Sequence, residues 1–289
     1  MSYDLFFKPR SGEVASGQVA DYFRARRHYE VNDVQALYQN EDTGVYFCFD
    51  LQNDTDEAAD ASCPVALNVN YFRPSFFGLE AEPEVGAFVS TFDMIVSDPQ
   101  IDGMGEGDYN GEKFLSGWNQ GNEFAYSAML REPGSRNSLV SYPAAKLLQA
   151  WSWNKNRQQL QNEFGKSLFV PKVMFILVAG QPRSVAVWPD GIPIATTEVD
   201  LLFVQRKELA PRRFLRRIED QTLLSWNDAL PILKKHQSQR SDGIIALKYD
   251  TPHQDVQKFI EALPADERNV EGVAADSVLD QELVEKYAT

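Results

Sequence analysis

The sequence predicts an α+β fold: an N-terminal ferredoxin-like α/β sandwich, followed by a second α+β half built on a helix and an antiparallel sheet. Short apolar runs of period two alternate with segments of period 3.6 along the whole chain. The first third orders them as strand, helix, three strands, helix, the sequence of a split β-α-β arrangement. Hydrophobic residues make up 43% of the 289, with 18 Phe among them, enough apolar material to bury a sizeable core.

The opening SYDLFFK reads as a strand, and GQVADYFRARRHYE as a helix with Val19, Tyr22, Phe23 and Arg26 at helical spacing. VQALYQ and VYFCFDL flank Asn40–Gly44, a hairpin loop. In its second strand Tyr46, Cys48 and Asp50 face one way and Val45, Phe47, Phe49 and Leu51 the other. VALNVNYF alternates as the next strand. Between Glu80 and Met94, Pro83 with acids around it suits a helix start, and Val85, Phe88, Val89 and Phe92 form the buried stripe.

Glu112 to Glu132 predicts a helix with Phe114, Leu115, Trp118, Phe124, Ala128 and Met129 inward, interrupted by Gly117 and Gly121. REPGSRNS is a link, placing a break at 135/136 between an acidic α+β domain (1–135) and a second α+β domain (136–289), with a shared core as the alternative. A long helix follows from Pro143 to Gly165, then strands KVMFILVA, SVAVW and ATTEVDLLFVQRK with a Pro-Asp-Gly turn at 188–192. Helices are expected again at 255–263 and 276–287.

Charge narrows function. The net −14 is concentrated: residues 1–150 hold 10 Lys+Arg against 23 Asp+Glu, and residues 151–289 hold 18 against 19. A field of that sign repels nucleic acid and anionic membranes and attracts basic proteins. The basic run APRRFLRRIE, with Arg212, Arg213, Arg216 and Arg217, is flanked by Glu208, Glu219 and Asp220 and suits a protein contact better than a phosphate backbone. No run reaches the ~18 apolar residues of a membrane span, and the N-terminus lacks a basic, then apolar, leader. With Cys48 and Cys63 outside any C-x-x-C, a cytoplasmic, reduced location is expected.

The segment SDPQIDGMGEGDYNGEKF, where glycines alternate with carboxylates, raises the question of a site. As a calcium loop from Asp98 it has Gln100 at the third position and Tyr109 at the twelfth, where oxygen ligands are needed. As a phosphate loop, Gly105, Gly107 and Gly111 miss the G-x-G-x-x-G spacing by one, and Glu106, Asp108 and Glu112 would oppose the anion. No G-x-S-x-G or H-E-x-x-H occurs, and His28, His236 and His253 read as surface histidines. Five tryptophans could floor a sugar cleft but suit core packing better. The expectation is therefore a non-enzyme with no metal and no cofactor.

MSYDLFFK, ALYQNEDTGVYFCFDL, NYFRPSFFGLEAEPEV and DPQIDGMGEGDYNGEKFLSGWNQGNEFAY together resemble immunity proteins of bacterial toxin–immunity pairs of the type VI secretion systems used in interbacterial competition. The likeness covers roughly residues 1–130 and carries no catalytic residues. It implies an inhibitor whose partner is a cognate secreted toxin, with a nuclease of the GHH/HNH-like class as the suggested target. On this reading Asp98, Asp102, Glu106, Asp108 and Glu112 form one candidate toxin-binding patch, and Asp54, Asp56, Glu57 and Asp60 a second, as acidic loops on a rigid scaffold. Two alternatives stand beside it: a metal-dependent hydrolase or glycosidase using the carboxylates of Asp98–Asp108, and a secretion-system adaptor or chaperone.

Overall fold

The computed structural model describes residues 1–51, 65–100, 103–131, 139–213, 216–238, 240, 243–266 and 268–288, the side chains of Arg212, Arg213, Arg216 and Arg217 excepted. The expected sites Asp54, Asp56, Glu57, Asp60 and Asp102 lie outside the described residues. The contacts divide the chain into two units, Met1–Leu148 with Asp276–Thr289, and Gln149–Ala275. The expected break at 135/136 thus lies thirteen residues before the division at 148/149 (148 − 135), and the C-terminal segment belongs with the first unit rather than the second.

In chain order the first unit runs β1 (Ser2–Pro9), α1 (Ser16–Arg24), β2 (Tyr29–Val31), β3 (Gln35–Asn40), β4 (Val45–Leu51), β5 (Val65–Asn70), α2 (Phe76–Phe92), β6 (Met94–Asp98), β7 (Gly105–Gly107), α3 (Gly111–Met129) and β8 (Val140–Tyr142). The helix α4 (Ala144–Phe164) crosses the division. The second unit adds β9 (Val173–Val178), β10 (Gln181–Val187), β11 (Ala195–Thr196), β12 (Leu201–Arg206), β13 (Arg212–Arg213), β14 (Arg216–Arg217), β15 (Asp220–Ser225), α5 (Trp226–His236), β16 (Ile245–Ala246), α6 (Gln254–Ala262) and β17 (Val270–Val273). The chain then returns to the first unit with β18 (Val278–Asp280) and α7 (Gln281–Tyr287).

The first unit holds a sheet in the order β2-β3-β4-β5-β1-β6-β7, antiparallel at every pairing. Its middle strands β4-β5-β1-β6, with α1 and α2 as the connections, have the β-α-β-β-α-β arrangement the element order predicts. Tyr3, Leu5 and Phe7 of β1, Phe47 and Phe49 of β4, and Leu67 and Val69 of β5 are all buried on one face. There Phe23 of α1 meets Phe49 at a centroid distance of 4.7 Å and Phe88 of α2 at 5.5 Å, and Phe88 meets Phe7 at 5.3 Å. Such ring pairs contribute ~0.5–1.5 kcal/mol each beyond their burial. Both helices therefore share this face.

Helix α2 departs from expectation. It begins at Phe76, and Pro83 lies inside it rather than at its start. The early start has a donor account: the backbone N–H of Ser75 is bonded by Asp280, far along the chain. Helix α3 also differs. Phe114, Trp118, Asn122, Ala125 and Tyr126 point inward, while Phe124 and Met129 are exposed, at 65% and 51%. The inward face is centred on the glycines, because Gly117 and Gly121 take the hydroxyl ends of Tyr3 and Tyr71 against the helix backbone.

The second unit carries a sheet in the order β15-β12-β10-β9-β17. It is mixed rather than wholly antiparallel: β10 and β12 run parallel, joined through a 3-10 turn at Pro189–Gly191 and the short strand β11. The expected single strand over 195–207 is accordingly two, β11 and β12, on different sheets. Trp153 and Asn154 of α4 dock on the entry to β9 through the carbonyls of Pro171 and Val173, each at 2.8 Å. Arg206, fully buried, forms a bidentate pair with Asp220 at 2.7 and 2.8 Å and bonds the carbonyls of Ile260 and Leu263. All its charge is met inside the unit.

Candidate partner-binding surface

The acidic segment is built inward more than outward. Asp98, at the end of β6, is buried at 4% exposure. Its carboxylate accepts from the Tyr3 hydroxyl at 2.6 Å and from the backbone N–H groups of Met104 at 2.8 Å and Gln100 at 3.1 Å. Gly103 packs so closely on it that a Cβ there would collide with the carboxylate. Burial, and then the Asp98 bond, raise the Tyr3 phenol well above its ordinary pKa. Asp98 thus organises the turn and presents no carboxylate to a partner, contrary to the sequence expectation.

Glu106 on β7 pairs with Lys8 of β1, and Asp108 pairs with Arg10, which also reaches Asp93 at 3.3 Å. These pairs are exposed, so each is worth little in stability. They do cancel charge. Glu112 lies exposed in the first turn of α3, where a carboxylate suits the helix dipole, and the Asn110 side chain caps Lys113 N–H at 2.9 Å. Asp98, Glu106, Asp108 and Glu112 therefore do not converge on one site. Among the described residues no group of three His, Cys, Asp or Glu side chains could hold a metal ion.

The second face of the seven-stranded sheet is different in character. Its side chains are half-buried or exposed where the helix-covered face is buried. Registers place Asp4 opposite Asn68, Asn68 opposite Cys48, and Cys48 opposite Leu37; the adjoining row runs Asp50, Ala66, Phe6, Ser97, Glu106. Asp4 accepts from the Ser2 hydroxyl and from Asn68 Nδ2 at 2.6 Å. Among the described residues no cation pairs with Asp4 or Asp50. Burial raises the Asp50 carboxyl, the charge of Asp4 adds to that, and the Cys48 thiol opposes it. Cys48 is pushed up to about 11, first by burial and then by Asp50. This thiol is a poor nucleophile at neutral pH.

Sequence reasoning missed one grouping in the second unit. His236 and His253 stack at 4.8 Å, each edge-on to Tyr249, and Asp255 accepts from Lys235 at 2.5 Å and lies 3.0 Å from His236 Nε2. Lys235 and then His236 hold the Asp255 carboxyl well below its usual range. No spacing in the sequence announces this, because α5 and α6 bring the rings together. A cavity of about 920 Å³ lies near Arg206, Asp220, Pro211 and Pro264. Its charges are met locally: Arg206 by Asp220, Lys207 by Glu219, and Asp266 by Arg268. Asp190 accepts from three backbone N–H groups. Four of the five tryptophans suit core packing: Trp118 and Trp188 are fully buried and Trp153 and Trp226 nearly so, while Trp151 is half-buried.

No helix among the described residues is long and apolar enough to cross a membrane. Comparison with protein-family models, with curated proteins and with solved structures finds no match to this chain.

Proposed function

We propose that this chain is a non-enzymatic immunity protein that binds and occludes a basic secreted toxin, a nuclease being the class whose cationic cleft suits it, in the cytoplasm of the producing cell. The observation that carries the reading is the distribution of charge. Residues 1–150 hold an excess of thirteen carboxylates (23 − 10), and Asp4 and Asp50 stand on one sheet face without cationic partners among the described residues. Like charges held close together cost free energy in the free protein, a cost that a cationic partner removes on binding. The resemblance of the four N-terminal segments to immunity proteins names the class.

The binding surface is accordingly shifted from the 98–112 segment toward the open sheet face. Association should be fast and salt-sensitive, slowing as ionic strength screens the acidic field. The test is to purify the chain together with the product of its neighbouring gene and to assay that complex for DNA cleavage. A stable complex with cleavage silenced supports the reading. A complex that still cleaves DNA favours the adaptor, and a chain that neither binds nor protects overturns the proposal.

A further inference from the structure

Resting on that reading, we infer that the toxin is anchored by an apolar side chain in a groove beside α3, with its basic residues lying toward Asp4. The groove encloses about 560 Å³ and is walled by Met1, Tyr71, Pro99, Gly117, Gly121 and Phe124. Two features of α3 make it. Gly121 lets Tyr71 lie directly against the helix backbone, and Gly117, one turn earlier, does the same for Tyr3. Gln120, between the two glycines, also lines the groove, while the glycines themselves add no side chain to it.

Phe124, on the next turn, stands at the rim with 65% of its surface exposed. A large aromatic left in water at the edge of a ready-made hollow is the composition of a binding anchor, since aromatics dominate the energetics of protein interfaces. Charge selects the occupant. Ser2, which also lines the groove, donates its hydroxyl to Asp4 at 3.0 Å, so at Ser2 the rim of the groove adjoins the acidic sheet face. Asp4 has no cationic partner among the described residues, whereas Glu123, beside Phe124 in sequence, is taken by Lys286. An apolar residue flanked by Lys or Arg fits; an acidic segment does not. The groove thus supplies area and the sheet face supplies steering.

Hydrogen exchange on the full chain, free and bound to the neighbouring-gene toxin, reads the footprint. Binding should slow exchange at 71–72 and 117–124. Phe124→Ala, an exposed substitution, should weaken binding at least about tenfold. Met129→Ala, on the same helix but outside the groove, should change it less than about twofold. Circular dichroism of both variants checks that the fold is kept. Asp4→Asn should lower the salt dependence of association. A complex that forms with protection elsewhere and an unaffected Phe124→Ala overturns the groove while leaving the immunity reading intact. Absence of any complex overturns both.

Discussion

Asp280 bonds Ser75 twice, its Oδ2 accepting from the backbone N–H at 2.8 Å and its Oδ1 from the hydroxyl at 3.0 Å. The two residues are 205 positions apart in sequence, and the pair serves the N-terminus of α2 with an acceptor from β18. The Tyr126 hydroxyl joins them, donating to Asp280 Oδ2 at 3.4 Å, within a cluster in which Tyr126 and Leu130 pack on Leu279 and Val284. Next along the chain, Glu282 accepts from the N–H of Ala144 at 3.0 Å at the start of α4. The C-terminal segment therefore caps two helices whose own N-terminal residues offer no carboxylate.

Asp280→Ala should lower stability by about 1–3 kcal/mol, since it removes a cap and leaves the half-buried donors of Ser75 without this acceptor. Asp280→Asn should cost less, because an amide oxygen can still accept one of the bonds. Urea unfolding of the two variants checks the order. Burial raises the Asp280 carboxyl above its ordinary value in the folded protein. This group alone therefore adds stability as pH falls and withdraws it as pH rises through the folded value. Asp280→Asn should abolish that component of the pH profile. Equal midpoints for wild type and Asp280→Ala would refute the capping account.

Much of the fold is legible from local pattern because its causes are local. The Asn40–Gly44 loop closes through Asn40 carbonyl bonds to Thr43 and Gly44, with Gly44 at φ +80°, and every residue involved lies within the stretch that predicted it. The start of α2 was not legible, because its cap comes from Asp280. Nor was the fate of the acidic segment. Lys8 and Arg10 lie 98 positions before Glu106 and Asp108, and only the β1-β6-β7 pairing brings them together. The inward face of α3 misled for a related reason: glycines count as gaps in a hydrophobic stripe, yet here they are the contact itself.

Glu123 and α7 give an opposite dependence on pH. Bonds from Lys286 and then Tyr287 lower the Glu123 carboxyl in the folded protein. The docking it provides is therefore present above the ordinary Glu value of 4.5 and lost as pH falls through the lowered one. The carboxylate is 37% exposed, so solvent screening discounts the effect. Glu123→Gln should speed amide exchange in α7 about two- to fivefold at pH 7 and little at acid pH. An equal change at both pH values would assign the contact to packing instead of charge.

Cys48 reports on the acidic sheet face. With its thiol at about 11, alkylation by iodoacetamide at pH 8 should be slow and should rise about tenfold per pH unit up to that value. Asp50→Asn removes both a charge and a hydrogen-bond partner and should speed the reaction at pH 8. Cys63→Ser is the background for the measurement, so that one thiol is followed. A rate indifferent to Asp50 would mean that burial alone governs the thiol and that the field on this face is weak.

Gly117 sets the last prediction, in which two effects compete. Alanine is favoured over glycine inside a helix by ~1 kcal/mol. A Cβ at 117, however, would stand 2.8 Å from the Tyr3 hydroxyl, and Tyr3 is fully buried and tied to Asp98 at 2.6 Å, so it cannot swing aside cheaply. Overpacking of that kind costs about 1–3 kcal/mol, enough to outweigh the propensity gain. Gly117→Ala should therefore destabilise. Tyr3→Phe deletes the colliding atom but leaves Asp98 one donor short, so it too is destabilising alone. Combined, the two should cost less than their sum, with a coupling of about 0.5–2 kcal/mol in a double-mutant cycle by urea unfolding. Strict additivity would show that the helix shifts to admit the methyl group and that Tyr3 does not dictate glycine at this position.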